Sequence, residues 1–421
     1  MDAWLAGGVF VVAYALIASE RFDRTIVALL AGLLVVALGV LDQHEAFAAI
    51  DLNVIFLLAG MMVIASTLAR TGFFDLLAIR AVQWSRGEPM RLLLLLAVVT
   101  AVLSAFLDNV TTVLLLTPIT LSIARRLQVS PAPYLISQIL ASNVGGTATL
   151  IGDPPNILIG SATGLGFIDF LVHLGPVTIL VLVAFIVTMR VVFRGALQVP
   201  DAAREAALEG SAGAAIVDRP LLIRSLVVAA LTLLGFLVHA AIGLEAATIA
   251  MLGATVLLLV GRLDPHEAFR EVEWSTLFFF VGLFILVESV VHVGIVGAVA
   301  ELVTSVTAGD VGVTSIALLW FSAIASAIVD NIPYTATAIP VVQELVAGGV
   351  PADPLWWSLA LGACLGGNLT IVGASANVVA SNLAARAGHP IRFFEFFRYG
   401  SVVVLESLLI SSAYVWIRYL A

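Results

Sequence analysis

Hydrophobic residues run along this chain in blocks of helical length, separated by short polar turns and lacking the strict alternation of half-buried strands. In the first half the blocks fall at about 4–18, 25–41, 52–69 and 171–193, and in the second at about 222–238, 245–261, 275–292 and 393–416. A short amphipathic segment accompanies each set, near 73–84 and 295–305. Each block predicts a transmembrane α-helix. The first, without a basic leader or a small-residue cleavage site, reads as a retained span. The one sizeable polar stretch, 195–220, is expected to be a cytoplasmic linker between 1–194 and 221–421.

Two segments in each half break this pattern. The apolar stretch 91–126 has Arg at both ends and Asp108-Asn109 at its centre, which predicts a re-entrant hairpin with its tip at mid-membrane. A pair of full spans joined by a tight turn is the alternative. In 133–165 the run GGTATLIGDPPN interrupts an apolar helix with glycines and two prolines, so a broken helix is expected there. Both features recur. SAFLDNVTTVLLLTPIT at 104–120 returns 222 positions later as SAIVDNIPYTATAIPVV, within a second hairpin at about 311–346. SNVGGTATLIGDPPN at 142–156 returns as ACLGGNLTIVGASAN at 363–377, within a second broken helix at about 355–387. LDQHEAF at 41–47 returns as LDPHEAF at 263–269. A chain built twice, with carboxylates at matching intramembrane positions, is the pattern of a secondary transporter.

Composition sharpens this reading. With 61% hydrophobic and 11% charged residues, too little polar surface exists to cover a soluble globule of this size. An all-α polytopic membrane protein follows. All 19 basic residues are Arg, which excludes Walker and Schiff-base lysines, and a net charge of −9 gives no nucleic-acid signal. Cys364 is the single cysteine, so no intrachain disulfide forms. With the N-terminus outside and five crossings per half, every Arg except Arg418 falls on the cytoplasmic side, and the second repeat is inverted relative to the first. One hairpin then enters from each face, and the C-terminus also lies outside.

The candidate chemistry sits at the two tips and the two breaks. A carboxylate in the hydrocarbon region costs several kcal/mol unless paired, so Asp108 and Asp330 call for a cation, a proton or a set of donors. Each is followed by Asn and by small or hydroxyl residues: Asn109, Thr111 and Thr112 in one, Asn331, Thr335 and Thr337 in the other. Capping of the following helix is the competing role for both Asp. The first break offers Asn143, Gly145, Gly146, Thr147, Thr149, Asp153 and Asn156; the second offers Cys364, Gly366, Gly367, Asn368, Thr370, Ser375 and Asn377. Asn, Thr and unwound carbonyls suit a small hard cation, whereas helix N-termini suit an oxyanion. The glycines also read as close-packing positions between helices. Asp153 is matched by Ala374, and that asymmetry makes Asp153 a candidate coupling site, or else a Gly-Asp-Pro turn. Glu288 and Glu406 lie within expected spans as relays or helix-packing residues, and Cys364 is either thiophilic or packing. His44 and His266 read as local caps rather than metal ligands. No Arg is expected near the site, which argues against a multiply charged anion.

These motifs closely resemble the branch of the ion-transporter superfamily that holds the melanosomal P protein and arsenite-permease-like transporters. The resemblance covers nearly the whole chain. It implies inverted repeats, a homodimer with scaffold and mobile transport domains, and elevator-type alternating access. Where related dicarboxylate carriers have Ser-Asn-Thr tips, this chain has Leu-Asp-Asn-Val and Val-Asp-Asn-Ile. The leading expectation is therefore efflux of arsenite or antimonite across the inner membrane, with a proton or Na⁺ as coupling ion, no cofactor and no metal beyond Na⁺ at the tips. Sodium/proton antiport is the alternative, with dicarboxylate, citrate or chloride transport behind it. Membrane lipid is an expected partner, and a soluble ATPase subunit stays open as another. An intramembrane aspartyl protease is disfavoured by the lack of a GxGD sequence, so no enzyme is expected.

Overall fold

The computed structural model describes residues 2–19, 21–194 and 215–421. In the first half α1 (Asp2–Ala18), α2 (Arg24–Ala37), α3 (Gln43–Ala48), α4 (Leu52–Arg70) and α5 (Phe73–Ser85) precede α6 (Pro89–Phe106), α7 (Asn109–Arg126), α8 (Ala132–Gly146), α9 (Pro154–Thr163) and α10 (Phe167–Val192). The second half begins with α11 (Arg219–Ile242), α12 (Ala246–Gly261), α13 (Pro265–Arg270), α14 (Trp274–His292) and α15 (Ile295–Val306). It continues with α16 (Val311–Val329), α17 (Asn331–Ala347), α18 (Ala352–Gly366), α19 (Ser375–Arg386) and α20 (Phe393–Val415), which runs on into a π-helical turn. Among the described residues, ten helices thus precede residues 195–214 and ten follow them.

Among the described residues seven helices, α4, α6, α10, α11, α14, α16 and α20, are long and apolar enough to cross a membrane. The chain is a multi-pass membrane protein. The blocks expected at 4–18, 25–41 and 245–261 form shorter helices. α2 stops at Ala37 because Gly39 takes a φ of +76° and turns the chain toward α3. The HEAF segments are not simple turns: Asp42 and Glu45 close a reciprocal cap around α3, and Asp264 caps α13. α10 begins earlier than the expected 171, since the Asp169 carboxylate accepts from Gly166 N–H at 2.7 Å and secures its start. Of the expected linker, 195–214 lie outside the described residues. Its last part is structured: Val217 N–H donates to Thr71 O at 3.0 Å, and α11 already begins at Arg219, capped by Asp218.

The helices pack as two groups. α1, α2, α4, α11, α12 and α14 form one, in which α2 crosses α14 and α4 crosses α12. Glycine makes both crossings close. A Cβ on Gly282 would stand 2.4 Å from Ala28 C, and one on Gly60 would stand 2.7 Å from Ala250 C. The second group joins the hairpins α6–α7 and α16–α17 to the broken helices α8–α9 and α18–α19, with α10 and α20 alongside. Within it the halves interleave: α9 packs on α17 and α19 on α7. The site is therefore built from both halves.

Candidate functional site

Each hairpin tip docks into the break of its own half through the same bonds. Asn109 N–H donates to Gly152 O at 3.1 Å, and Asn331 N–H to Gly373 O at 3.1 Å. Ser104 Oγ donates to Ser142 O and Ser326 Oγ to Ala363 O, both at 2.7 Å. Thr149 reaches Ala105 O, and Thr370 reaches Ala327 O at 2.6 Å. Inside the first break, Asn156 Nδ2 donates to Thr147 O and Thr149 O; inside the second, Asn377 Nδ2 donates to Gly367 O and Thr370 O. These amides satisfy carbonyls that the interruption leaves without helical partners. Gly145 and Gly366 lie against Ala101 and Ala323 of the hairpin arms, where a Cβ would come within 2.0 and 2.3 Å of backbone. Gly146 and Gly367 face Gly152 and Gly373. The four glycines thus close the break against the hairpin.

Between the two tips runs one buried polar chain. Asp153 Oδ1 accepts from Asn109 Nδ2 at 3.1 Å and from Asn331 Nδ2 at 3.0 Å, so a single carboxylate joins both hairpins. Asn109 Nδ2 also donates to Asn143 Oδ1 at 3.0 Å. Asn143 Nδ2 donates onward to Asn368 Oδ1 at 2.9 Å and Asn377 Oδ1 at 2.8 Å. Asn143, Asp153, Asn368 and Asn377 have no solvent exposure, and Asp153 Oδ2 has no protein hydrogen-bond partner. Such a network specifies one arrangement when satisfied and leaves a free acceptor where it is not. The Cys364 thiol lies beside Asp153 and 3.5 Å from Asn156 Oδ1.

The tip aspartates Asp108 and Asp330 take the capping role that competed with ion binding in the sequence. Each is the N-cap of its second hairpin helix: Asp108 accepts from Thr111 N–H at 2.8 Å and Asp330 from Ile332 N–H at 3.0 Å. Their surroundings then diverge. Asp330 has φ 87° and ψ 140°, a conformation that costs a non-glycine residue about 1–3 kcal/mol, whereas Asp108 is extended. Asp330 Oδ2 accepts from Ser375 Oγ at 2.8 Å and pairs with Arg24 Nη1 at 3.1 Å. Arg24 also contacts Ser375 Oγ, and its guanidinium carbon lies 5.2 Å from the centre of the Phe279 ring. These groups line a cavity of about 400 Å³ with Ile17 and Phe22. The expectation that no Arg lies near the site is thus corrected: α2 carries Arg24 to a partner 306 residues away.

Of the remaining candidates, Thr147 and Thr335 bond back to the carbonyls of Asn143 and Asn331 within their own helices, and Thr112 Oγ1 is buried without a partner. Thr337 binds Tyr14 of α1, whose hydroxyl also donates to Pro333 O at 2.8 Å. Glu406 accepts from Thr188 of α10, away from the network. Glu288 is half-buried on α14 and joins no part of the network. Sequence reasoning missed Arg24, Tyr14 and Glu273, which immediately precedes α14, accepts from Thr276 Oγ1 at 3.2 Å and lies within electrostatic range of Asp108 and Arg24. A signal for Arg24 was present: its counterpart in the second half is Ala246, the same kind of difference that singled out Asp153. Among the described residues no group of three His, Cys, Asp or Glu side chains is placed to hold a metal ion. The oxygen donors around Asp330 and Asp153 suit a proton or a hard monovalent cation.

Known proteins resemble this chain at several distances. The crystal structure of the Alcanivorax borkumensis YdaH transporter, reported to have an unusual topology, superposes with a TM-score of 0.59 at 14% identity over 99% of this chain and 98% of that one. This likeness supports the fold. An uncharacterized transporter of Mycobacterium tuberculosis is 46% identical over 98% of this chain and 97% of its own length. The human P protein is 34% identical over 96% of this chain, which spans 59% of that longer protein. The family described as citrate transporter, CitMHS, matches residues 14–362. By that match the chain belongs to the CitMHS family of the ion-transporter superfamily and is a membrane transporter.

Proposed function

We propose that this transporter works by ion-coupled alternating access, with Asp153 as the coupling carboxyl, and exports a small inorganic species such as arsenite or antimonite. One observation carries the reading: Asp153 links the hairpin tips of both halves, and among the described residues one of its oxygens has no side-chain or backbone donor in hydrogen-bonding geometry. A proton or cation arriving at that oxygen changes the charge at the joint on which both hairpins depend. The division into two helix groups supports an elevator motion of the hairpin group against the other. Arsenite near neutral pH is largely an uncharged trihydroxyl species, and the asparagine amides, Thr hydroxyls and open carbonyls supply neutral donors and acceptors for it.

Sodium/proton antiport is a second reading with its own support. Among the described residues, Asp330 and Glu273 lie near Arg24, with Asp153 within electrostatic range of Asp330 and Asp108 within that of Glu273. That excess of carboxyl groups favours a cation over an anion. Citrate, named in the family's description, would meet the same excess, and Arg24 is already engaged.

Solid-supported-membrane electrophysiology of proteoliposomes separates these readings, using arsenite, antimonite, sodium, chloride and citrate at two pH values. Arsenite is expected to evoke current only under a proton or sodium gradient. Current with sodium alone, accompanied by proton release, would favour the antiporter, and current with citrate alone would displace the inorganic substrate.

A further inference from the structure

The Arg24–Asp330 pair differs from the other ion pairs of the chain in where it lies. Among the described residues, Arg70 is about as exposed as Arg24, at 32% against 29%, but its partners Glu267 and Glu271 keep 64% and 53% and Glu88, the partner of Arg91, keeps 41%, whereas Asp330 keeps 9%. The pair joins the two helix groups: α2 belongs to the group containing α14, and Asp330 is the tip of the second hairpin. Tyr14 of α1 makes a second link to the same hairpin through Pro333 O.

The first hairpin has no equivalent. At the positions corresponding to Arg24 and Ser375 stand Ala246 and Pro154, so these two positions offer Asp108 neither the guanidinium nor the serine hydroxyl that Asp330 meets. If the hairpin group moves relative to the other, as in the alternating-access reading on which this inference rests, Arg24 engages Asp330 in one state only. We propose that Arg24 is a tethered counter-ion: its guanidinium occupies the carboxylate and serine oxygens of a monovalent-cation site at Asp330 and Ser375, and so displaces a bound cation into the cavity.

The geometry supports competition rather than simple bracing. Arg24 contacts Asp330 Oδ2 and Ser375 Oγ together, the two oxygens that a hard cation would bridge. Both lie on the wall of the cavity, so an ion released there has a path away. One positive charge is exchanged for another, and the buried carboxylate is never left uncompensated.

Sodium binding tests this without any transport assay. Thermal unfolding of the purified full-length protein is followed against NaCl, with choline chloride holding ionic strength constant. Arg24→Ala is expected to reach half-maximal stabilisation at a sodium concentration at least tenfold lower than wild type. Arg24→Lys, which keeps the charge but loses the fork, is expected between them and carries the test should the alanine variant fail to fold. In Arg24→Ala/Asp330→Asn the sodium response should vanish. An unchanged response in the single variants, or a full response in the double variant, would overturn the proposal. Loss of all substrate-evoked current with this sodium order intact would remove alternating access and leave the counter-ion role standing.

Discussion

Asn143 makes three side-chain hydrogen bonds at the centre of the polar chain, accepting from Asn109 and donating to Asn368 and Asn377. Asn143→Leu would leave the oxygens of Asn368 and Asn377 without their donor in a site with no exposure, and Asn109 Nδ2 with Asp153 as its remaining acceptor. A loss of about 2–4 kcal/mol is expected from the stranded groups, read as a lowered unfolding temperature in detergent. At this scale the sequence was most informative where polar residues interrupt apolar runs, and those positions are the ones joined in the network. Two kinds of residue escaped. Thr147 and Thr335 look identical in sequence to site hydroxyls, yet they bond back within their helices, and only the backbone decides that. Arg24 sits where a polar turn meets an apolar helix, the usual place for an anchoring Arg, and its partner is far away in sequence.

At the scale of helices, close crossings fix the frame. A Cβ on Gly60 or Gly282 would fall within 3 Å of backbone on the facing helix, with no flexible side chain to move aside. Each substitution to Ala is expected to destabilise by about 1–3 kcal/mol through overpacking. Gly297→Ala serves as the control: it meets nothing within 4 Å and lies within α15, so it should be neutral or slightly stabilising. Unfolding midpoints of the three variants check both statements. The hairpins and breaks were legible because Asp-Asn tips and Gly-Pro interruptions are strong local signals. The glycine crossings were not, since glycine in an apolar helix is common and the facing residue is unknown from one chain. Helix ends also slipped: the Asp169 contact that secures α10 depends on a turn, not on hydrophobicity.

Across the whole molecule, the described helices before and after residues 195–214 follow one another in a similar order of lengths and turns. Less visible was how the halves interleave, with α7 against α19 and α17 against α9. Those contacts are long-range, and local pattern carries no information about them. Interleaving gives the transporter one shared centre while the two halves supply different chemistry to it. Asp153 faces Ala374 in the duplication, and Arg24 faces Ala246. In the proposed coupling, this asymmetric charge set lets each state hold the ion differently.

Asp153→Asn, studied in proteoliposomes, probes that coupling directly. Asn retains an oxygen to accept from Asn109 and Asn331 but cannot change its charge, so the variant should fold and insert like the wild type. Arsenite-evoked current driven by a proton or sodium gradient should be abolished, while ungraded exchange of arsenite persists. Gradient-driven current of wild-type size in Asp153→Asn would show that the coupling ion is carried elsewhere.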